Sequence, residues 1–225
     1  MGDAYINTDQ YEKAIDSCLK AFEIAEELGD KGEVGKTCQN MGNSYYNAGQ
    51  YEKAIDCYRK ALEIAQNLGD KGEVLKIWQN MGSSYYNAGQ YEKAIDCYRK
   101  ALEIAEELGD KGEVGRTYRS MGDAYYNTRQ YDKAIDCYRK ALEIAEDLGD
   151  KGEMGKTYQE MGNSYYNARQ YVKAIDYYRK ALENAEKLGN KGELGGTYKK
   201  ADCHRKALNI PKKLGDKQKM EYVSA

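Results

Sequence analysis

Gly42-Asn43-Ser44-Tyr45-Tyr46-Asn47-Ala48-Gly49-Gln50-Tyr51-Glu52-Lys53-Ala54-Ile55-Asp56-Cys57-Tyr58-Arg59-Lys60-Ala61-Leu62-Glu63-Ile64-Ala65 decides how this chain is read. The block returns from Gly82, Gly122 and Gly162 with few changes, and from Gly2 with more. A unit of forty residues therefore accounts for most of a chain of 225, and for its skew to 23 Gly and 23 Tyr against one Pro, one Trp, one Phe and one His. Repeats of ~20 to 50 residues build solenoids, propellers or arrays, so the choice between helix and strand comes next.

The spacing predicts helices. Met81, Tyr85, Tyr86 and Ala88 share one helical face, and Tyr91, Ala94, Ile95, Tyr98, Ala101, Leu102, Ala105 and Leu108 keep the alternation of three and four over a longer run. Each unit is thus two amphipathic helices, the first ending at Gly89 and the second at Gly109, both suited to a left-handed C′ position. Asp110 fits the N-cap of the next helix with Glu113 three residues on, and the same spacing starts at Asp30, Asp70 and Asp150. β-branched alternation between turns, the signature of strands, is missing from the sequence.

Trp78-x2-Met81-Gly82-x2-Tyr85, followed by Ala94-x3-Tyr98 and Ala101, resembles the tetratricopeptide pattern W-x2-L-G-x2-Y…A-x3-F…P up to its last element, where Glu106 stands for Pro. Without a proline there, the second helix can run on to Leu108. The Tyr-Glu-Lys-Ala-Ile-Asp, Ala-Glu-Glu-Leu-Gly-Asp-Lys-Gly-Glu and Met-Gly-Asn-Ser-Tyr blocks are similar to the longer, forty-residue repeats of the Pins/LGN family of spindle-orientation scaffolds. The resemblance implies an all-α, right-handed solenoid of stacked antiparallel helix pairs. It does not extend to a G-protein role, since the tail Asp216–Ala225 is too short for the Gα-binding motifs of that family.

The expected organisation is one array over residues 1–210, divided at 1–40, 41–80, 81–120, 121–160 and 161–210, with a short tail over 211–225. Residue 2 aligns with Gly42, in mid-helix. After Tyr198, Ala201-Asp202-Cys203-His204-Arg205-Lys206-Ala207-Leu208 resumes a second-helix block early, so Glu193 to Asn209 reads as one fused capping helix ended near Pro211. The chain then reads as a fragment or decayed copy of a longer array, with raw ends open to self-association.

Several chemistries are disfavoured. With 35 basic and 37 acidic residues there is no positive excess for nucleic acid or an anionic membrane. No apolar run is long enough to span a bilayer, and Met1-Gly2-Asp3-Ala4-Tyr5-Ile6 is neither a signal core nor a myristoylation motif, so a cytoplasmic location is expected. His204, the one histidine, has no nucleophile beside it in sequence, and the Gly29-x2-Gly32-x2-Gly35 series lacks the strand and spacing of a phosphate loop. Cys57, Cys97 and Cys137 occupy one repeat position, Cys18 a Tyr58-type slot and Cys38 the Trp78-type slot. Helices stacked ~8–10 Å apart hold such positions too far apart for disulfides, and no Cys-x2-Cys exists for zinc. Catalysis, metals and cofactors are not expected.

Binding is. In tetratricopeptide proteins the first helix of each pair lines the concave side, which by resemblance assigns Lys36, Gln39, Asn43, Tyr46 and Asn47, then Lys76, Gln79, Ser83, Tyr86 and Asn87, then Arg116, Arg119, Asp123, Tyr126 and Asn127, and finally Lys156, Gln159, Asn163, Tyr166 and Asn167 to a peptide groove. The Asn47, Asn87, Asn127, Asn167 ladder either offers amides to a ligand backbone or finishes the helix ends. The tyrosines beside it either contact ligand or pack between units. Arg116, Arg119, Lys156 and Lys76 suggest a locally basic groove and an acidic peptide. The carboxylate clamp of chaperone-binding members is incomplete, because Gln39 and Ser120 replace two of its cations. The expected function is a non-catalytic scaffold for an extended peptide of a protein partner. The alternative is a spacer or self-associating module of a larger protein.

Overall fold

The computed structural model describes residues 2–189, with side chains from residue 10 onward. Its helices run α1 Gly2–Leu28, α2 Lys31–Asn47, α3 Tyr51–Leu68, α4 Lys71–Asn87, α5 Tyr91–Leu108, α6 Lys111–Asn127, α7 Tyr131–Leu148, α8 Lys151–Asn167 and α9 Tyr171–Leu188. No strand occurs among the described residues, and the all-α helix-pair fold read from the sequence is the one found. The proposed fused helix Glu193–Asn209, Cys203, His204, Pro211 and the tail lie outside the described residues. Two compact units divide the chain, residues 1–113 and 114–225.

The boundaries follow local chemistry. Asp30, Asp70, Asp110 and Asp150 each accept at 3.0 Å from the backbone N–H of the glutamate three residues on, satisfying a donor that the helix start leaves unpaired. Second helices end on left-handed glycines, Gly69 at φ 72° and Gly149 at φ 68° among them. First helices end in a turn whose left-handed residue is Gly49 or Gly89 in unit 1, but Arg129 (φ 61°) or Arg169 (φ 60°) in unit 2. The two arginines hold a conformation that costs a non-glycine residue roughly 1–2 kcal/mol.

By repeat register Asp9 stands in the slot of Gly49, and α1 runs through it as a single helix of 27 residues.

Each helix pair is fastened by one glycine and one tyrosine. A Cβ on Gly42 would lie 2.5 Å from Tyr58 Cε1, and one on Gly122 2.6 Å from Tyr138 Cε1. Gly82 with Tyr98 and Gly162 with Tyr178 repeat the arrangement. The bare backbone lets the ring lie flat on the first helix, and Tyr58, Tyr138 and Tyr178 are fully buried as a result. In unit 2 the core gathers Ile135, Tyr138 and Leu142 of α7, Tyr158, Met161 and Tyr165 of α8, and Ala174, Tyr178 and Ala181 of α9. α3 buries the corresponding Ala54, Ile55, Tyr58, Ala61 and Leu62 in unit 1.

Candidate functional site

The first helices carry the residues that the sequence assigns to a groove. In unit 1, α2 and α4 together with Tyr58 line a cleft of about 370 Å³ whose walls are Asn43, Tyr46, Asn47, Tyr58, Asn80 and Ser83. Every wall residue bears an amide or a hydroxyl. Tyr58 donates its hydroxyl to Asn43 Oδ1 at 2.7 Å, and Asn80 approaches the same oxygen at 3.4 Å. Burial, then Tyr46, pushes the Tyr58 phenol well above the usual tyrosine range, so it stays a neutral donor.

The asparagine ladder joins neighbouring repeats. Asn87 donates to the Tyr46 hydroxyl at 2.9 Å and to the Ser83 carbonyl at 2.8 Å, and Asn167 treats Tyr126 and Asn163 in the same way at 2.8 and 2.9 Å. Both amide protons are thus engaged, and the carbonyl oxygen is what these two residues retain for a ligand. Asn127 donates to the Asp123 carbonyl at 2.9 Å. The ladder tyrosines also stand edge-on to the first tyrosine of their own second helix, Tyr46 on Tyr51 at 5.7 Å and Tyr126 on Tyr131 at 5.7 Å, with Tyr86 and Tyr166 alike. The packing role weighed in the sequence is therefore present for them, and all four keep part of their surface exposed.

The expectation of a locally basic face meets a correction. Arg119 lies 2.8 Å from Glu153 and 3.3 Å from Glu160, with its side chain 24% exposed. Lys156 pairs with Glu153 at 3.0 Å and Lys76 with Glu73 at 2.8 Å, while Arg116 is also engaged. Counting cations along one helix missed the carboxylates that the next helix and the previous turn bring to them. Asp123, which accepts from Tyr138 at 2.6 Å, joins the same cluster, and burial raises its carboxyl above the ordinary range against the opposing pull of Tyr138 and Arg119. Burial, then Asp123, pushes the Glu160 carboxyl up to about 8. Its Oε2 is buried without a hydrogen-bond partner among the described residues.

Gln79 is held by Glu113 at 2.7 Å, and Asn163 accepts from Tyr178 at 2.9 Å. Gln159 is partly exposed on α8. Tyr58 in unit 1 and Glu153 and Glu160 in unit 2 contact these residues and were not singled out in the sequence. The signal for Glu160 was its slot, which holds Asn40, Asn80 and Ser120 in the other copies.

Among the described residues, no group of three or more His, Cys, Asp or Glu side chains is placed to hold a metal ion, and no helix is long and apolar enough to cross a membrane. The described cysteines are unpaired thiols, and burial lifts those of Cys57, Cys97 and Cys137 to about 11, where they are inert packing groups at neutral pH.

The fold recurs in solved structures. BtubC (BKLC) from P. vanneervenii superposes with a TM-score of 0.77 at 24% identity, over 95% of this chain and 88% of that one. Aspartyl phosphate phosphatase F from Bacillus subtilis gives 0.72 at 22% identity over 97% of this chain, which spans 58% of that protein. The nearly identical TPR-like repeats of a putative kinesin light chain from Podosopora anserina give 0.71 at 13% identity, over 83% of this chain and 92% of that one. At these identities the likeness speaks for the fold. A search among curated protein sequences finds no match. The tetratricopeptide repeat family model matches residues 1–67, 73–147 and 113–187, which with the paired helices and their glycine-tyrosine fastenings establishes that the chain belongs to the tetratricopeptide repeat family.

Proposed function

We propose that this chain is a non-catalytic protein-interaction scaffold that takes an extended peptide of a partner on its first-helix face. The observation that carries the reading is the cleft of about 370 Å³ in unit 1, walled by the amides of Asn43, Asn47 and Asn80 and the hydroxyls of Tyr46, Tyr58 and Ser83. Such groups match the donors and acceptors of an extended backbone, while the tyrosine rings supply contact area at small entropic cost. Membership of the tetratricopeptide repeat family supports the same class of activity.

The acidic ligand loses its main support, since the cations that argued for it are paired within the fold. Recognition then rests on backbone hydrogen bonding at Asn43, Asn47 and Asn80 together with Tyr86 and Asn87 in unit 1, while Tyr126, Asn127, Asn163, Tyr166 and Asn167 repeat these side-chain types within unit 2.

A random peptide display library panned on the full chain tests this. Selected peptides should bind at least tenfold more weakly to an Asn47→Ala, Asn80→Ala variant of unchanged melting temperature, and their consensus should lack an acidic run. Equal binding by the variant overturns the proposed face, and an acidic consensus restores charge recognition.

A further inference from the structure

A second cleft in unit 1, about 510 Å³, lies between α1, α2 and α3 and is lined in part by Phe22, Val34, Cys38, Lys60, Ile64 and Leu68. Its counterparts elsewhere hold a ring. Lys100 Nζ sits 4.2 Å from the centre of the Trp78 ring, Lys140 Nζ 4.8 Å from Tyr118, and Lys180 Nζ 5.7 Å from Tyr158. In the first copy the lysine is present as Lys60 and the ring is replaced by Cys38. The neighbouring Gly35 is already packed, since a Cβ there would lie 2.9 Å from Ile64 Cγ2, so the ring slot is where this copy differs. The ion pair that joins α4 to the end of α5, Lys71 to Glu107 at 2.9 Å, has no equivalent in the first copy, because Asn67 stands in the glutamate slot opposite Lys31.

Ring and clasp are thus both absent here, and a lysine suited to a ring face remains beside Phe22, Val34 and Ile64, in a cleft whose wall also carries Glu26, Lys31, Glu63 and Asn67. The cleft's volume exceeds the roughly 150 Å³ that can hold a benzene ring. We propose that this cleft receives the aromatic ring of a tryptophan or tyrosine from a protein partner, seated under Lys60 where the other repeats place a ring of their own. The lysine attracts the electron-rich face, and Phe22, Val34 and Ile64 cover the rest of the ring. The cleft opens to solvent beside the exposed Leu68, which lets a side chain enter while its backbone stays outside. This site is separate from the polar face of α2 and α4 and does not depend on it.

The test titrates the full chain with acetyl-Gly-Trp-Gly-amide, acetyl-Gly-Leu-Gly-amide and free indole, followed by NMR at Ile64 and Val34. The Trp peptide is expected to give saturable shifts there at about fivefold lower Kd than the Leu peptide, with Lys60→Met removing that advantage. Cys38→Trp, which supplies the ring from within, should abolish the shifts and raise the melting temperature. Equal shifts from the Trp and Leu peptides, or undiminished binding by Lys60→Met, overturn the proposal whether or not Cys38→Trp folds. Free indole binding more tightly than the Trp peptide overturns the assignment to a partner side chain in favour of a small aromatic molecule.

Discussion

The face built by α2 and α4 in unit 1 and the face built by α6 and α8 in unit 2 use the same slots for opposite chemistry. Asn43 accepts from Tyr58 in one and Asp123 from Tyr138 in the other, at 2.7 and 2.6 Å. Asn80 meets Asn43, while the slot of Asn80 is Glu160 in unit 2. Gln79 holds Glu113 in unit 1, and Arg119 holds Glu153 and Glu160 in unit 2. The backbone tolerates either set, so the comparison isolates what charge adds at fixed geometry. Neutral amides leave polar groups for a ligand, whereas three carboxylates around a mostly buried arginine bind chiefly one another and strain against desolvation.

The strongest way to break the comparison is Arg119→Ala. It leaves Glu153, Glu160 and Asp123 without their shared cation and should cost about 3–5 kcal/mol in urea unfolding, against about 1 kcal/mol for Gln79→Ala. The triple change Arg119→Gln, Asp123→Asn, Glu160→Asn imports the neutral set and should restore at least the original stability. A triple variant as weak as Arg119→Ala would show that the charges are a net gain.

Next in size is a pH effect. The folded Glu160 carboxyl titrates near 8, above its ordinary value of 4.5, so across that interval the folded chain keeps a proton that the unfolded chain has released. Its stabilising contribution is complete below about 4.5 and disappears as pH rises through about 8, and the raised Asp123 acts in the same direction. The melting temperature should fall by several degrees from pH 6 to pH 9. Glu160→Gln should flatten that slope, and a profile equally steep in the variant would remove Glu160 from the explanation.

Smaller still, and equal in the two units, is the cost of crowding the tyrosine fastening. Gly42→Ala and Gly122→Ala should each lose about 1–3 kcal/mol, measured by denaturant midpoint, because either Cβ would meet a ring at 2.6 Å or less. The smallest effect separates the units again. Arg129→Gly and Arg169→Gly should gain up to about 1 kcal/mol in thermal melts by relieving a left-handed arginine, whereas Gly49→Arg should lose a similar amount.

How much of this was legible depended on sequence distance. Helix limits, aspartate caps and left-handed glycines involve residues within five positions of one another, and the repeat printed each of them several times over. The glycine-tyrosine contact was half legible: Gly82 reads as a point of close approach, but that Tyr98 is the group approaching emerges only when the pair folds. Pairings between repeats were least legible. Arg119 looked like a groove cation because its partners Glu153 and Glu160 are 34 and 41 residues away, and nothing local distinguishes a paired arginine from a free one.

The fidelity of the copies has a cost of its own. A bond such as Asn87 to Tyr46 joins residues 41 apart, and the same two residue types recur in the next copies, so a helix displaced by a whole repeat would find nearly the same partners. Chains of this kind can fold out of step, or lend a helix to a neighbour, with little loss of contact. Here the misstep is penalised at one place. Set against α2 instead of α6, α8 would carry Glu160 to Asn43 and Gln39, where a glutamine stands in the slot of Arg119. The charged cluster thus acts as a page number in a book whose pages are otherwise nearly alike.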